Sequence, residues 1–203
     1  SIQMLNDFNI PTDNIQLVKD YAYEVNFKKR SKVTTLKEVF AHPELPLIGL
    51  VTSGNEEGVA TIAWIVSQLL LDGINCNIVH IPHSRAYVST QNNDVVTGEL
   101  IWSSMSIYHA KRLERYIPLS MPENPFQLYD IYTQVDGIIG MRYHSFIFSK
   151  ITNKPLLGIV HGVKAQAFFD EEKYGSYIAS SSTKEELLEK CKAFIIKIKN
   201  NGK

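Results

Sequence analysis

Residues 137–160 read GIIGMRYHSFIFSKITNKPLLGIV, and this stretch decides the fold. The segment 137–140 is short and apolar, as in a buried strand, and 156–160 (LLGIV) is a second such segment. Between them, residues 145–151 are apolar and compatible with a helix. Two buried strands joined through a helix predict a crossover connection, which makes the strands parallel.

The same alternation of strand and helix patterns continues along the rest of the chain. Further strands are predicted at 15–18, 47–51 and 77–81, and helices at 56–71, 99–116, 126–135, 165–170 and 183–198. We therefore expect an α/β fold with a Rossmann-like, mostly parallel sheet and helices on both faces.

The chain divides into a short leading segment and one domain. Residues 26–34 (NFKKRSKVT) are polar and basic, which is typical of a solvated linker. We interpret 1–34 as the end of an N-terminal domain plus this linker, and 35–203 as a C-terminal Rossmann-like domain. Because the chain opens at Ser1 without a methionine, we expect it to be a piece of a longer protein.

The composition narrows the class of protein. Hydrophobic residues make up 44% of the 203 residues, enough to bury a core, and 21 basic residues balance 21 acidic ones. A neutral chain does not favour a nucleic-acid partner, and its apolar runs are too short for a transmembrane segment. Cys76 and Cys191 lack a zinc-ligand spacing, so no metal site is predicted, and two scattered cysteines favour a reducing compartment. We expect a soluble, cytoplasmic protein.

The turn after Gly140 carries the most informative polar residues. Ligands of open parallel sheets bind beyond the carboxyl ends of the strands, and here a strand ends just before a helix begins. Free N–H groups at that helix start favour an anion, Arg142 adds a planar cation, and His144 adds a group that transfers protons. This combination predicts an anion site with an acid/base group, lined also by Gly140 and Ser145. The simpler interpretations are a surface ion pair for Arg142 and a buried, satisfied histidine for His144.

Three other turns hold candidate substrate contacts. Lys164 follows a predicted strand and could reach a phosphate, although a solvated surface lysine fits the pattern equally well. Ser53 could bind an oxyanion, but its turn is neither a Walker loop nor a dinucleotide-binding glycine motif. His83 is a candidate for the lining of the cleft. Asp94 could contact a sugar hydroxyl, or simply form a turn.

The segment 135–164, VDGIIGMRYHSFIFSKITNKPLLGIVHGVK, resembles the C-terminal domain of the polysaccharide pyruvyl transferase family. That family shows a strand ending in Gly-x-Arg-[Leu/Tyr]-His-[Ser/Ala/Gly], then a helix, a strand after proline, and a turn ending in lysine. The corresponding positions here are Gly140, Arg142, Tyr143, His144, Ser145, Pro155 to Ile159 and Lys164. Residues 1–25 also resemble the stretch in which the family leaves its N-terminal domain, with Asp20 near its end. Tyr143 in place of leucine, and His161 in place of an aromatic residue, depart from the usual pattern.

The resemblance implies one half of a GT-B-like architecture, with most of an N-terminal domain absent from this chain. It also implies transfer of pyruvate from phosphoenolpyruvate to two hydroxyls of a sugar, forming a ketal, in cell-surface or exopolysaccharide biosynthesis. The partners are then phosphoenolpyruvate and a sugar or glycan acceptor, free or lipid-linked, with no cofactor. His144 would be an acid/base group, Arg142 would stabilise the charged substrate, and Lys164 would hold the phosphate. We expect this chain alone to be inactive, because the absent domain would bind most of the acceptor.

Two other functions are compatible with the sequence. One is a GT-B-type glycosyltransferase or epimerase, whose nucleotide sugar would also place a diphosphate at a helix N-terminus. Such a protein usually holds the ribose with an acidic residue, and Glu171 and Glu172 are the nearest candidates. The other is a non-catalytic binding domain retained for assembly.

Overall fold

One sheet organises the computed structural model, which describes residues 20–23, 25, 27, 35–53, 56–85 and 93–201. Its strands are β1 Leu47–Val51, β2 Asn77–His80, β3 Tyr116–Pro118, β4 Gly137–Gly140, β5 Leu156–Val160 and β6 Ser176–Ala179. The strand order is β3-β2-β1-β4-β5-β6, and every neighbouring pair is parallel. The order reverses between β1 and β4, which is where open α/β sheets form their ligand crevice.

Helices connect the strands on both faces of the sheet. They are α1 Glu56–Leu71, α2 Asp94–His109, α3 Pro125–Gln134, α4 Tyr143–Ile151, α5 Val163–Glu172 and α6 Lys184–Asn201, with short 3-10 turns at Tyr21–Tyr23, Leu36–Val39 and Ala110–Arg115. The sequence marks several helix starts. Pro125 opens α3, and Asn124 caps it by accepting the Gln127 N–H at 3.0 Å. A capping box opens α6, since Thr183 and Glu186 each accept the backbone N–H of the other.

Two apolar layers enclose the sheet. On one face, α1, α2 and α6 pack over Ile48, Leu50 and Ile78. On the other face, α3, α4 and α5 pack over Leu47, Val79 and other side chains that alternate with the first set. Burial on both faces explains why β1 and β5 are apolar at consecutive positions instead of at every second one. The predicted α/β class, with a parallel sheet covered on both faces, is confirmed.

Two predicted boundaries are wrong, and two strands were not predicted. The helix predicted at 99–116 begins at Asp94 and ends at His109, and the 3-10 turn Ala110–Arg115 then leads into β3. The strand β3 is only three residues long, too short to show the alternation of apolar and polar residues that identifies a strand. The hydroxyl of its first residue, Tyr116, donates to the Gly98 carbonyl at 3.2 Å. The edge strand β6 is only partly buried, so it lacks the apolar run that identifies the central strands. The strand predicted at 15–18 lies outside the described residues.

The described part of the leading segment packs against the domain. The Phe27 ring stacks on Tyr129 with centroids 4.6 Å apart and meets Phe126 and Phe148 edge-on at 5.7 Å. Tyr23 contributes to the same apolar layer under α3 and α4. The boundary at residues 34 and 35 stays a prediction.

The two cysteines are structural. Cys76 and Cys191 are both free and buried, and burial raises the pKa of each thiol to about 12. Neither is therefore a reactive thiolate at neutral pH. In the part of the chain that the structure describes, no helix combines the length and apolar character needed to cross a membrane. The same residues contain no group of three or more side chains suited to holding a metal ion.

Candidate functional site

The carboxyl edge of the sheet gathers the residues singled out from the sequence. Parallel strands place all their carboxyl ends on one edge, so the turns after β1, β2, β4 and β5 share a rim. Arg142, His144, His83 and Lys164 lie there with α4 and its neighbours. Ser53 lies on the same rim but on the opposite face, between α1 and α6. The structure thus brings four of these residues into one region and separates the fifth.

The turn after β4 depends on a close contact between Gly140 and Ser145. A Cβ atom on Gly140 would lie 2.3 Å from Ser145 Oγ, so only glycine fits the end of this strand. Ser145 is fully buried, and its hydroxyl donates to the Arg142 carbonyl at 2.5 Å. These contacts fix the backbone from which Arg142 and His144 project. A role for Gly140 and Ser145 in touching substrate stays a prediction.

Arg142 is held by a buried carboxylate. Its Nη2 donates to Asp94 Oδ1 at 2.5 Å, and the Asp94 side chain is only 1% exposed against 22% for Arg142. Asp94 Oδ2 accepts the backbone N–H groups of His83 and Ser84 at 2.9 and 3.0 Å. Asp94 therefore joins the turn after β2 to the turn after β4, instead of capping a surface turn. Within the described residues, the buried Nε of Arg142 has no hydrogen-bond partner.

His83 continues this network. Its Nε2 lies 2.7 Å from the hydroxyl of the fully buried Tyr132. Burial lowers the pKa of His83 to about 3, and electrostatic interactions with His144, Arg142 and His80 lower it further. Burial also raises the pKa of Tyr132 well above its ordinary value. Because the phenol keeps its proton, we assign it as the donor, which leaves the proton of the neutral His83 ring on Nδ1.

His144 lies at the start of α4 and faces outward. Its side chain is 61% exposed, and its Nε2 lies 3.6 Å from Asp20 Oδ2 in the leading segment. The interpretation of His144 as a buried, satisfied histidine is therefore wrong. An exposed imidazole beside a carboxylate has the access and the polarisation that proton transfer requires. His144 and Arg142 both lie close enough to His83 to act on it electrostatically.

Lys164 is held over an aromatic ring. Its Nζ lies 4.6 Å from the centroid of the Tyr143 ring, a cation–π distance. The Tyr143 ring in turn meets the rings of His144 and Phe168 edge-on, each at 6.1 Å. Gly162 allows this approach, because it precedes α5 with a φ of 79°, a conformation that favours glycine. Lys164 is thus brought beside the turn that carries Arg142 and His144.

A buried polar pair lies behind the rim and was not predicted. The Nε2 of His80, the last residue of β2, lies 2.8 Å from Thr52 Oγ1. Burial lowers the pKa of His80 to about 4, so the ring is neutral at neutral pH. The helix α2 passes close to this ring at Gly98. A Cβ atom at that position would lie 2.5 Å from His80 Nδ1, so the close approach depends on glycine. The pair joins β1 to β2 just below the crevice.

The comparisons with known proteins agree with this architecture. Residues 1–162 match the sequence family described as polysaccharide pyruvyl transferase. No curated protein shows significant similarity to the chain. A putative UDP-N-acetylglucosamine 2-epimerase from Listeria monocytogenes has a similar fold, with a TM-score of 0.53 and 10% identity over 83% of this chain and 40% of that one. A GtfA/B complex aligns with a TM-score of 0.47 and 12% identity over 75% of this chain and 28% of that one.

The alignment lengths show that this chain spans less than half of either structure. At these identities, the likeness to the epimerase shows the fold alone. It confirms the predicted fold class, a Rossmann-like α/β domain of the kind that GT-B-like architectures contain.

Proposed function

Because the chain belongs to the polysaccharide pyruvyl transferase family, we propose that it holds phosphoenolpyruvate at the carboxyl end of β4. The complete protein then transfers pyruvate from this donor to two hydroxyls of a sugar, forming a cyclic ketal. The product is part of a cell-surface or exported polysaccharide. A cytoplasmic location, expected from the two unpaired cysteines, belongs to the same proposal.

The state of Arg142 is the observation that carries this proposal. Asp94 fixes one terminal nitrogen of the guanidinium, while Nε and Nη1 have no partner among the described residues. An unpaired buried N–H carries a desolvation cost of about 1–3 kcal/mol, which an incoming anion can offset. The side chain remains 22% exposed, so a ligand can reach it from the rim. Phosphoenolpyruvate supplies a carboxylate and a phosphate, both of which suit a planar guanidinium.

The reaction has a simple proton balance. Two sugar hydroxyls each lose a proton and each form a bond to C2 of phosphoenolpyruvate. One proton goes to the methylene carbon, which becomes a methyl group. The other leaves with phosphate when the bond between C2 and the phosphate oxygen breaks. Positioned acid/base groups are therefore needed to protonate the methylene carbon and the leaving phosphate, or to accept the proton of the attacking hydroxyl. In our proposal, His144 takes one of these roles and Asp20 orients its imidazole.

Lys164 is the proposed partner of the phosphate. A lysine ammonium is a flexible point charge that suits a leaving phosphate, whereas the guanidinium suits the planar carboxylate. The Tyr143 ring holds Lys164 near the proposed donor site before the donor binds. In our proposal, the neutral His83 ring, with its proton on Nδ1, donates a further hydrogen bond to the same anion.

Our proposal includes a second domain in the complete protein. The chain spans 40% of the epimerase that shares its fold, so a second domain across the rim is part of our proposal. That domain binds most of the acceptor sugar, and the 203-residue chain alone binds the donor without turnover.

The nucleotide-sugar alternative gains no support from the described carboxylates. Glu172 forms an ion pair with Lys150 near the end of α5. The charge of Glu171 helps to raise the pKa of Tyr143, so Glu171 lies near that ring, but no described contact joins either glutamate to Arg142 or His144.

Ligand-dependent stabilisation tests the proposal directly. Phosphoenolpyruvate at 100 times its dissociation constant should stabilise the chain by about 2.7 kcal/mol, measured by thermal unfolding. Pyruvate at the same concentration should stabilise it less, because it lacks the phosphate. UDP should stabilise no more than inorganic pyrophosphate, because the site does not recognise a nucleoside. No effect of phosphoenolpyruvate, or a larger effect of UDP than of pyrophosphate, would contradict the proposal.

The pairing of Lys164 with Tyr143 predicts a graded effect on donor binding. Tyr143→Leu removes the ring under the ammonium and should weaken phosphoenolpyruvate binding about threefold to tenfold, the usual range of a cation–π contact. Tyr143→Phe keeps the ring and should bind within about twofold of the unaltered chain. Isothermal calorimetry with phosphoenolpyruvate measures both. Equal affinities for the leucine and phenylalanine variants would show that the ring does not position Lys164.

A further inference from the structure

A second cleft opens on the other face of the sheet from Arg142. Its volume is about 650 Å³, within the range of small-molecule sites of roughly 300–1,000 Å³. It lies at the carboxyl ends of β1, β5 and β6, against the starts of α1 and α6. The lining residues are Ser53, Gly58, Thr61, Ile62, Met141, Ile159, His161, Ser180, Ser181, Ser182, Lys184 and Leu187. Of the predicted site residues only Ser53 is among them, so the donor site does not account for this cleft.

Hydroxyl groups dominate the polar part of this lining. The side chains of Ser53, Thr61, Ser181 and Ser182 have no hydrogen-bond partner among the residues that the structure describes. Ser180 is the exception, since its Oγ lies 3.2 Å from His161 Nδ1. Free hydroxyls that converge on a cavity can donate to, or accept from, a ligand rich in oxygen atoms.

The charge of the lining has one sign. Lys184 is its ionised residue, with Nζ 4.8 Å from the Trp64 ring and 4.0 Å from the exposed carboxylate of Glu185, which lies outside the lining. The described lining itself contains no aspartate or glutamate. A cation among hydroxyls favours an anion with several acceptor oxygens. The same lining contains no phenylalanine, tyrosine or tryptophan on which a base could stack. This combination suits a phosphate ester of a sugar better than a nucleotide.

The cleft and the donor site are neighbours. Met141 lines the cleft, while the side chain of the next residue, Arg142, is outside the lining and contacts Asp94 at the start of α2. A ligand in the cleft is therefore separated from the donor site by the end of β4. This geometry suits a two-substrate reaction in which the donor and the acceptor approach from opposite faces of the same strand.

We propose that this cleft holds the phosphate end of a glycosyl phosphate and so anchors the acceptor in a phosphorylated form. The identification of this ligand as the acceptor rests on the proposed function. The binding of a sugar phosphate in the cleft rests only on the cavity, its hydroxyls and its charge.

Calorimetric titration of the 203-residue chain with glucose 1-phosphate tests the proposal. We expect saturable binding, and no binding of glucose at the same concentration. Ser182→Glu should weaken glucose 1-phosphate binding about tenfold or more, because the new carboxylate repels the phosphate. Glutamate just before α6 is compatible with the helix start, so the fold should be retained. The matched control is Ser104→Glu on the exposed side of α2, which should bind as the unaltered chain does.

Three outcomes would overturn the proposal. They are no binding of glucose 1-phosphate, equal affinity in the Ser182→Glu variant, and displacement of glucose 1-phosphate by saturating phosphoenolpyruvate. The last would mean that one site serves both ligands. Failure of phosphoenolpyruvate to bind the unaltered chain would instead count against the proposed function, because the proposed donor site is separate from the cleft.

Discussion

Replacing His144 with alanine should abolish phosphate release by the complete protein while leaving this domain folded. A positioned acid/base group contributes about 10²- to 10⁴-fold to the rate of such a step, and no described residue duplicates its place at the start of α4. The side chain is 61% exposed, and its polar partner in the described chain is Asp20 at 3.6 Å. An exposed substitution of this kind changes the free energy of unfolding by about 0.5 kcal/mol or less. Phosphate release with phosphoenolpyruvate and acceptor measures the first effect, and thermal unfolding the second.

His42→Ala is the matched control for this experiment. His42 is also partly exposed, but its carbonyl accepts from Asn77 at the start of β2, so it lies at the amino edge of the sheet. This variant should keep full activity. The alanine variant at 144 should also keep its affinity for phosphoenolpyruvate, because Arg142 and Lys164 remain. Full turnover without His144 would remove the imidazole from the mechanism and assign the proton steps to other groups.

The central strands were predictable because their physics is local. Segments 47–51, 137–140 and 156–160 are apolar at consecutive positions, since helices cover both sides of each strand. Short apolar runs that alternate with helical periods leave few arrangements other than a parallel sheet with crossovers.

The edge strands of the sheet were not predictable, because what determines them is not local. The strands β3 and β6 each have a neighbour on one side only, and β6 is half exposed. Their residues therefore experience weaker constraints, and a three-residue Tyr-Ile-Pro segment is compatible with the end of a helix as readily as with a strand. Pairing with β2 and β5 decides their state, and this information lies far away in the chain.

The candidate site also has a part that the sequence predicts and a part that it does not. Glycine, arginine and histidine at the end of a buried strand carry a local signal, so the rim at Gly140 to His144 could be located from the sequence. The partner of Arg142 could not, because Asp94 lies 48 residues away and stands in a turn-rich patch. Only the strand order places the start of α2 beside the end of β4. The contacts of Tyr132 and Tyr143 are missed for the same reason, since both residues look like ordinary core aromatics.

Replacing Arg142 with glutamine should weaken phosphoenolpyruvate binding and also destabilise the domain. Asp94 is 1% exposed, and without the guanidinium the donors left to its carboxylate among the described residues are the N–H groups of His83 and Ser84. Loss of one partner from a fully buried ion pair costs about 3–5 kcal/mol, and these remaining donors should reduce the cost here to about 2–3 kcal/mol. Donor binding should weaken about 10- to 100-fold, the equivalent of one or two charge-assisted hydrogen bonds. Chemical denaturation and calorimetry measure the two effects.

A double variant separates the structural role of Arg142 from its role in binding. Asp94→Asn removes the charge that Arg142 neutralises, so Arg142→Gln combined with Asp94→Asn should be more stable than the sum of the two single effects by about 1–2 kcal/mol. Phosphoenolpyruvate binding should not recover with the stability, because the anion still lacks its guanidinium. If binding recovers together with stability, Arg142 serves only to fold the rim, and the donor anion is held by other groups. If stability recovers and binding does not, the buried carboxylate exists to aim a cation at the substrate.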